Sequence, residues 1–224
     1  MERADSLAML NSEIVACSRC PRLVTWRAHV AREKRAAFRD WDYWGKPVPG
    51  FGDTRARLVV LGLAPAAHGA NRTGRVFTGD RSGDWLFRAM HRAGFANQPL
   101  AEHCDDGLAL CDAYVFAAVR CAPPQNRPSV DERDNCRPYL VRELALLDRA
   151  SVYIALGGWA LSQLAAHENI RPRPKFSHGA EIEISNGRTL LCSYHPSQQN
   201  TFTKRLTEEM FDNVFTRAKE LLSV

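Results

Sequence analysis

Three short, continuous apolar segments, residues 58–63, 113–119 and 152–156, constrain the fold of this chain more than any other feature. Strands that are apolar at every position are typical of a sheet whose two faces are both covered. Amphipathic segments with helical spacing lie between these runs, and such alternation predicts a mostly parallel sheet between layers of helices. The predicted fold class is therefore α/β.

Boundary signals refine this prediction. Residues 182–190 contain two short apolar runs around an Asn-Gly pair, which predicts a β-hairpin. Ser82 is predicted to cap the helix after the first strand, and Ser129 with Glu132 has the spacing of a capping box. A last amphipathic helix is predicted to begin at Thr203.

The length and composition are those of one sizeable domain. The chain has 224 residues, of which 45% are hydrophobic and 25% charged, so an intrinsically disordered chain is excluded. We expect a single domain over residues 1–224, with an N-terminal helical, basic segment (1–56) packed on an α/β core (57–224). No run approaches the roughly 18 apolar residues of a membrane helix, and the first sixteen residues lack the apolar core of a signal peptide. A cytoplasmic monomer is therefore expected.

Positive charge is concentrated in one segment. The net charge is +5, but residues 19–39 carry seven basic side chains against one acidic, a net of +6. Such concentrated charge binds polyanions by releasing their counterions. A predicted basic helix over residues 23–38 that is merely solvated explains the pattern equally well.

Seven cysteines, an odd number, are awkward as a disulfide set in a reducing compartment. Cys17 and Cys20 form a Cys-x-x-Cys motif, which fits zinc, redox chemistry or chance. Two second pairs could complete a four-ligand site: Cys121 with Cys136, and Cys104 with Cys111. Thiolate-only ligands, and a proline directly after the second cysteine, slightly favour an iron–sulfur cluster. The remaining cysteine, Cys192, lies in an apolar strand and is predicted to belong to the core.

Two unusual stretches follow predicted strands, where α/β proteins bind ligands. The first, residues 62–80, reads GLAPAAHGANRTGRVFTGD. Its glycines and alanines let the backbone approach a ligand closely, yet it matches neither a Walker loop nor a dinucleotide fingerprint. The second presents His195 between Tyr194 and Pro196. Taken alone, His195 fits a structural histidine, and Asp80 fits a helix N-cap.

Together these features resemble one family. The stretch 62–80, His195-Pro196-Ser197 with Asn200-Thr201 through Leu206-Thr207, and the cysteines resemble the UDGb-type, or family 5, branch of the uracil-DNA glycosylase superfamily. The resemblance implies a three-layer α/β/α domain with a small central sheet. It also implies hydrolysis of the N-glycosidic bond of a damaged deoxynucleotide in DNA, leaving an abasic site. Finally, it implies a 4Fe-4S cluster on Cys17, Cys20, Cys121 and Cys136.

The resemblance also implies roles for individual residues. Asp80 would stabilise the developing positive charge on the sugar or orient water, and His195 would donate a hydrogen bond to the leaving base. Asn126 would bind the base or the water, although an asparagine that serves only turn geometry fits equally well. The implied base-binding set adds Gly62, Ala64 and Phe77, where Phe77 would stack on a flipped pyrimidine or serve only the core. The implied DNA-binding set is Arg72, Arg75, Ser197, Gln198 and Gln199.

The substrate range and two competing functions stay open at this point. Leu63 and Ala64 stand where relatives in other branches carry Asp, Asn or Glu, so water activation must come from elsewhere. The pocket could therefore accept hypoxanthine, ethenocytosine or hydroxymethyluracil besides uracil. The competing functions are a non-catalytic module that binds damaged or single-stranded DNA, and a redox-sensing iron–sulfur protein. The redox sensor leaves Asp80 and His195 unexplained.

Overall fold

The structure, a computed structural model, describes residues 5–223. Its centre is one six-stranded sheet in the order β1-β3-β2-β4-β6-β5. The four inner strands are parallel, and β1 and β5 pair antiparallel at the two edges. The strands are β1 (Phe51–Gly52), β2 (Leu58–Gly62), β3 (Ala113–Ala117), β4 (Val152–Leu156), β5 (Glu181–Ile184) and β6 (Arg188–Ser193).

Helices cover both faces of this sheet. They are α1 (Leu7–Val15), α2 (Pro21–Glu33), α3 (Ala70–Thr73), α4 (Arg81–Arg92), α5 (Val130–Leu146), α6 (Gly158–His167), α7 (Gln198–Phe202) and α8 (Glu208–Leu221). One apolar core joins the sheet to α4 and α8, and a second joins it to α1, α5 and α6. The predicted α/β fold with a mostly parallel sheet is therefore confirmed. Within the described residues, no helix is both long and apolar enough to cross a membrane.

The apolar runs form strands because both faces of the sheet are covered. Every residue of β2, β3 and β4 is buried, as the unbroken hydrophobicity predicted. The predicted hairpin is confirmed as β5 and β6, and Asn186 has a φ of 63° at its turn. Because the inner strands are parallel, the loops that follow them meet at one edge of the sheet.

The predicted start of the helix after β2 is wrong. Helix α4 begins at Arg81 and not after Ser82, because Asp80 is the N-cap and its Oδ1 accepts a hydrogen bond from the Gly83 N–H at 3.0 Å. The capping box of α5 is confirmed, with both reciprocal hydrogen bonds formed.

The last helix begins at Glu208 and not at Thr203 as predicted. Helix α7 ends at Phe202, and Lys204 adopts a left-handed φ of 56° that no helix continues through. Helix α8 starts only at Glu208, where the Thr207 hydroxyl accepts a hydrogen bond from the Met210 N–H. This interruption leaves α7 as a short element beside the loop that follows β6.

The N-terminal segment is integrated into the sheet. Its strand β1 pairs with β3, and α1 packs into the core that α5 and α6 share. The predicted basic helix over 23–38 ends early, because Lys34 takes a φ of 53° and a short 3-10 turn follows over Ala36–Phe38. Residues 1–4 and 224 of the expected domain lie outside the described residues. We propose from the shared sheet that segments 1–56 and 57–224 form one domain.

A buried ion pair connects the loop after β3 to α5. Arg120 and Glu143 are almost fully buried and hydrogen-bonded to each other, and the Tyr114 hydroxyl donates to Glu143 Oε1 at 3.1 Å. Removing one partner of such a pair leaves an unpaired buried charge and costs about 3–5 kcal/mol. We therefore expect Glu143→Ala to lower the free energy of unfolding by that amount in urea titrations. The control Glu181→Ala breaks an exposed pair with Arg217, and its midpoint should stay near the wild-type value. Equal effects of the two variants would contradict the prediction.

Candidate functional site

A cleft of about 490 Å³ lies where the loops after β2, β3 and β6 meet. This volume is within the range of roughly 300–1,000 Å³ typical of small-ligand pockets. Seven of the eleven residues predicted to be catalytic, base-binding or DNA-binding line it. The eleven lining residues are Leu63, Ala64, Ala66, Asp80, Arg81, Ser82, Asn126, His195, Ser197, Gln198 and Gln199.

Asp80 is both a helix cap and a cleft residue. Its Oδ1 accepts the capping hydrogen bond, while Oδ2 lies directly over the Cα of Gly69, where a side chain would collide with it. Burial raises the pKa of Asp80, and hydrogen bonds from the Gly83 and Ser82 N–H groups oppose the rise. The carboxyl group of Asp80 is therefore partly desolvated at the cleft, and its ionised form can interact strongly with positive charge there.

His195 directly follows Tyr194 at the end of β6. Its carbonyl oxygen accepts hydrogen bonds at 2.8 Å from the Ser197 N–H and from Asn200 Nδ2, and these bonds fix the turn. Its ring nitrogens have no hydrogen-bond partner among the described residues, which does not fit a satisfied structural histidine. Burial lowers the pKa of His195 to about 4. The imidazole is therefore neutral near pH 7 and retains one N–H that can donate.

Phe77 does not line the cleft but packs next to His195. Its ring centre is 5.9 Å from that of His195, and only 8% of the residue is exposed. A Cβ on Gly62 would lie 2.6 Å from Phe77 Cζ, so a glycine is required there. Phe77 also has a φ of 52°, a strained conformation that concentrates at functional sites. The core role is observed, and stacking on a base stays a prediction.

Asn126 lies in the loop that follows β3 and lines the cleft together with residues of the β6 loop. It is exposed, and its φ of 55° is one that asparagine tolerates better than most residues. Its side chain makes no hydrogen bond within the described part of the chain. The turn geometry is therefore real, and the amide group is also free to bind a ligand.

The predicted DNA contacts of Arg72 and Arg75 are contradicted. The Arg72 guanidinium lies 3.9 Å from the ring centres of Phe38 and Trp41 and donates to two backbone carbonyl groups. Arg75 pairs with Asp106 at 2.7 Å. Both arginines are at most 5% exposed. They stabilise the conformation of the loop after β2, and a DNA backbone would not reach them.

The loop after β6 supplies the exposed polar rim of the cleft. Ser197 caps α7, and Gln198 and Gln199 are exposed at the cleft. Their contact with DNA stays a prediction. Arg81 lines the cleft without having been predicted, and its guanidinium lies 4.4 Å from the ring centre of the exposed Phe202. The sequence feature that could have indicated a role for Arg81 is its position directly after Asp80.

The four cysteines implied by the resemblance line one small cavity. Cys17 and Cys20 reach it from the start of α2, Cys121 follows β3, and Cys136 lies on α5. No three of their sulfur atoms lie within 4.8 Å of one another in the part of the chain described. The sulfur ligands of one zinc ion, each about 2.3 Å from the metal, lie at most about 4.6 Å apart. The set is therefore more widely spaced than a single zinc ion requires.

Arg27 provides a second test of what this cavity can hold. It is 8% exposed, and its Nη1 donates to Cys121 Sγ at 3.0 Å while Nη2 donates to the Cys17 carbonyl at 3.2 Å. No carboxylate among the described residues pairs with it. A buried cation needs nearby negative charge, and cysteine thiolates bound to a metal cluster supply it. The donor set therefore fits an anionic, sulfur-ligated cluster.

Comparison with known proteins identifies the family of this chain. The family model for the uracil DNA glycosylase superfamily matches residues 49–219. The chain belongs to this superfamily of glycosylases, which are hydrolases, so the prediction of an enzyme is confirmed.

Individual relatives place the chain within the superfamily. It is 51% identical over 224 residues to the type-5 uracil-DNA glycosylase of Mycobacterium bovis, covering 99% of this chain and 84% of that protein. It is 51% identical over 209 residues to the type-5 enzyme of Thermus thermophilus, covering 93% and 94%. The type-4 uracil-DNA glycosylase of Thermotoga maritima is 27% identical over 151 residues, or 67% and 69%. The resemblance to the type-5 branch is thus confirmed.

Proposed function

We propose that this protein removes uracil from DNA by hydrolysing the N-glycosidic bond, which leaves an abasic site. One observation carries the proposal: Asp80 and the unpartnered, neutral ring of His195 line the same cleft, in a chain of the glycosylase superfamily. Neither competing function, a non-catalytic DNA binder or a redox sensor, has a use for both groups.

The proposed reaction begins outside the duplex stack. A base paired inside DNA cannot enter a cleft, so the nucleotide must flip out at a cost of a few kcal/mol. The exposed rim of Ser197, Gln198 and Gln199 is positioned to contact the strand around the flipped nucleotide. The exposed basic side chains of residues 19–39 would add attraction to the phosphates.

Cleavage then separates charge between the sugar and the base. Asp80 stabilises the positive sugar or orients the attacking water, and the N–H of His195 donates to the oxygen of the leaving base. A unit charge pair about 4 Å apart, at an effective dielectric near 20, interacts by about 4 kcal/mol, which corresponds to roughly a thousandfold in rate. Asn126 lines the same cleft and would bind the base or the water.

The walls of the cleft support a substrate range beyond uracil. Leu63 and Ala64 both line it and offer no polar side chain that would reject a base by its exocyclic groups. Rejection of a close analogue requires buried polar groups that the wrong ligand leaves unpaired. We therefore include hypoxanthine, ethenocytosine and hydroxymethyluracil among the proposed substrates.

The test of the proposed function is alkali cleavage of a labelled duplex that carries one U:G pair, under single-turnover conditions. A product band that requires the protein supports the proposal, and duplexes with the other bases then define the range. Binding of the same duplexes without any band would favour the non-catalytic DNA module. Cleavage that is equal in the oxidised and reduced protein would exclude the redox sensor.

A 4Fe-4S cluster held by Cys17, Cys20, Cys121 and Cys136 is part of the proposal. When bound, it supplies a covalent cross-link between the N-terminal segment, the loop after β3 and α5. Its role is structural, because the cluster cavity and the cleft have no lining residue in common. The cluster therefore stabilises the fold that positions the site.

Cys136→Ala is expected to lose most of its iron and acid-labile sulfide and to unfold at a lower temperature. Three thiolates cannot complete the ligand set of the cluster. The matched control is Cys104→Ala, which removes an exposed cysteine outside the cavity. Its iron and sulfide contents should equal those of the wild type. Full iron content in Cys136→Ala, or loss in Cys104→Ala, would contradict the assigned ligands.

A further inference from the structure

A second histidine links the strand that presents His195 to the last helix. His178, half-buried before β5, has its Nδ1 3.2 Å from the Tyr194 backbone nitrogen. Its Nε2 lies 3.2 Å from the Met210 carbonyl oxygen on α8. The backbone N–H of Tyr194 is thus held by a side chain from another segment, directly before the residue that acts on the base.

These two contacts define one protonation state of the ring. Nδ1 must accept from the Tyr194 N–H, so it carries no proton, and Nε2 carries the proton that it donates to Met210. A second proton on Nδ1 would place two N–H groups against each other. Burial lowers the pKa of His178, which favours the same neutral form.

The side chain of His178 supplies a hydrogen-bond acceptor where the backbone of the neighbouring strand has ended. Along β6, the Cys192 N–H donates to the Ala180 carbonyl at 2.9 Å, on the side that faces β5. The next N–H on that side, two residues further on, belongs to Tyr194. The chain has by then turned away at Gly179, whose φ is 75°, so no backbone carbonyl is available. The imidazole of His178 continues the ladder by one hydrogen bond.

Ring stacking with His178 also fixes the side chain of Tyr194. The rings of His178 and Tyr194 are 5.2 Å apart and nearly parallel, at 14°. The guanidinium of Arg205 lies 4.6 Å from the centre of the Tyr194 ring. Tyr194 is therefore fixed at both its backbone and its ring, and His178 contacts both.

We infer that His178 is a positioning residue for the glycosylase reaction: its hydrogen bond to the Tyr194 N–H sets where the His195 ring lies in the cleft. The inference rests on the proposed function. His178 does not line the cleft, so it acts only through the strand end. A displacement of about 1 Å in a catalytic group costs on the order of a hundredfold in rate, whereas substrate affinity depends on other contacts.

Three substitutions separate the two hydrogen bonds. His178→Asn retains an acceptor at the Nδ1 position but does not reach Met210. His178→Gln reaches Met210 with an amide N–H but offers no acceptor near Tyr194. His178→Ala removes both bonds. The matched control is His167→Ala, another partly buried histidine, which lies at the end of α6 away from the cleft.

Single-turnover release of uracil from the U:G duplex is the first readout. We expect His178→Ala and His178→Gln to be slower by about tenfold to a hundredfold, and His178→Asn and His167→Ala to be close to the wild type. The affinity for a duplex with an abasic site should change little in all four variants. Wild-type rates in His178→Ala and His178→Gln, or an equal loss in His178→Asn at unchanged melting temperature, would overturn the inference.

A second readout does not depend on catalysis. Hydrogen exchange of the Tyr194 amide should become faster in His178→Ala and His178→Gln and stay protected in His178→Asn. If exchange follows this pattern but the wild type releases no uracil, the proposed function has failed, while the hydrogen bond is as described. If the wild type is active and exchange does not follow the pattern, the positioning role is wrong.

Discussion

Asp80→Asn is expected to release uracil about a thousandfold more slowly than the wild type in single turnover, without loss of DNA binding. The loss follows from about 4 kcal/mol of charge stabilisation, which exists only when the sugar becomes positive. The substrate is uncharged at that position, so its affinity should be nearly unchanged. Measured rate and dissociation constants on the U:G duplex test both parts.

The pH dependence of the wild type provides an independent test of the same carboxylate. Burial raises the pKa of Asp80 above its usual 3.8, and only the ionised form stabilises positive charge. The rate should therefore fall as the pH falls through this raised value, and the fall should be absent from the residual activity of Asp80→Asn.

Asp80→Asn should lose activity without losing stability. A carboxyl group whose pKa is raised in the folded state favours folding below its unfolded pKa, and this contribution is lost as the pH rises through the folded value. Asparagine is an equally good N-cap and has no charge to desolvate. The variant should therefore be at least as stable as the wild type near pH 7 and lose this advantage on acidification.

The control for Asp80 is Asp84→Asn, which neutralises a carboxyl group in the first turn of the same helix. Burial raises the pKa of Asp84 as well, but the residue does not line the cleft. Its uracil release should stay close to the wild-type rate. A loss in Asp84→Asn as large as in Asp80→Asn would show that the negative charge at this helix end matters generally, and that Asp80 has no specific role.

The strands could be predicted from the sequence because burial on both faces requires an unbroken run of apolar residues. Every position of β2, β3 and β4 must be apolar, whatever the rest of the chain does. Helix starts are less determined, because Asp80, Ser82 and Thr203 all carry side chains able to cap a helix. Which of them does so depends on the loop that precedes it, and that loop is fixed by tertiary contacts.

The candidate site was predictable where its residues follow strand ends, as Asp80, Asn126 and His195 do. The site predictions that were wrong concern arginines, because a sequence does not distinguish an exposed arginine from a buried one. Arg75 is buried where it pairs with Asp106, which lies 31 positions further along the chain. His178 was missed for the same reason, since its partners are 16 and 32 positions away.

His195→Ala is expected to slow uracil release by about a hundredfold to a thousandfold, the usual cost of removing one donor to a developing anion. The His195 pKa of about 4 means that the donor is a neutral imidazole. The wild-type rate should therefore show no fall between about pH 6 and pH 8, where an ordinary histidine would lose its proton. The control His91→Ala removes an exposed histidine on α4 and should leave the rate unchanged.

The leaving group separates the role of His195 from that of Asp80. Fluorine at position 5 makes uracil a better leaving group, so its anion needs less stabilisation from a hydrogen bond. The defect of His195→Ala should shrink on a duplex that carries 5-fluorouracil, because the lost donor stabilises only charge on the base. The defect of Asp80→Asn should stay nearly the same on both substrates, because that carboxylate acts on the sugar. If both defects shrink equally, His195 does not act on the leaving base alone, and the division of charge between the two residues is wrong.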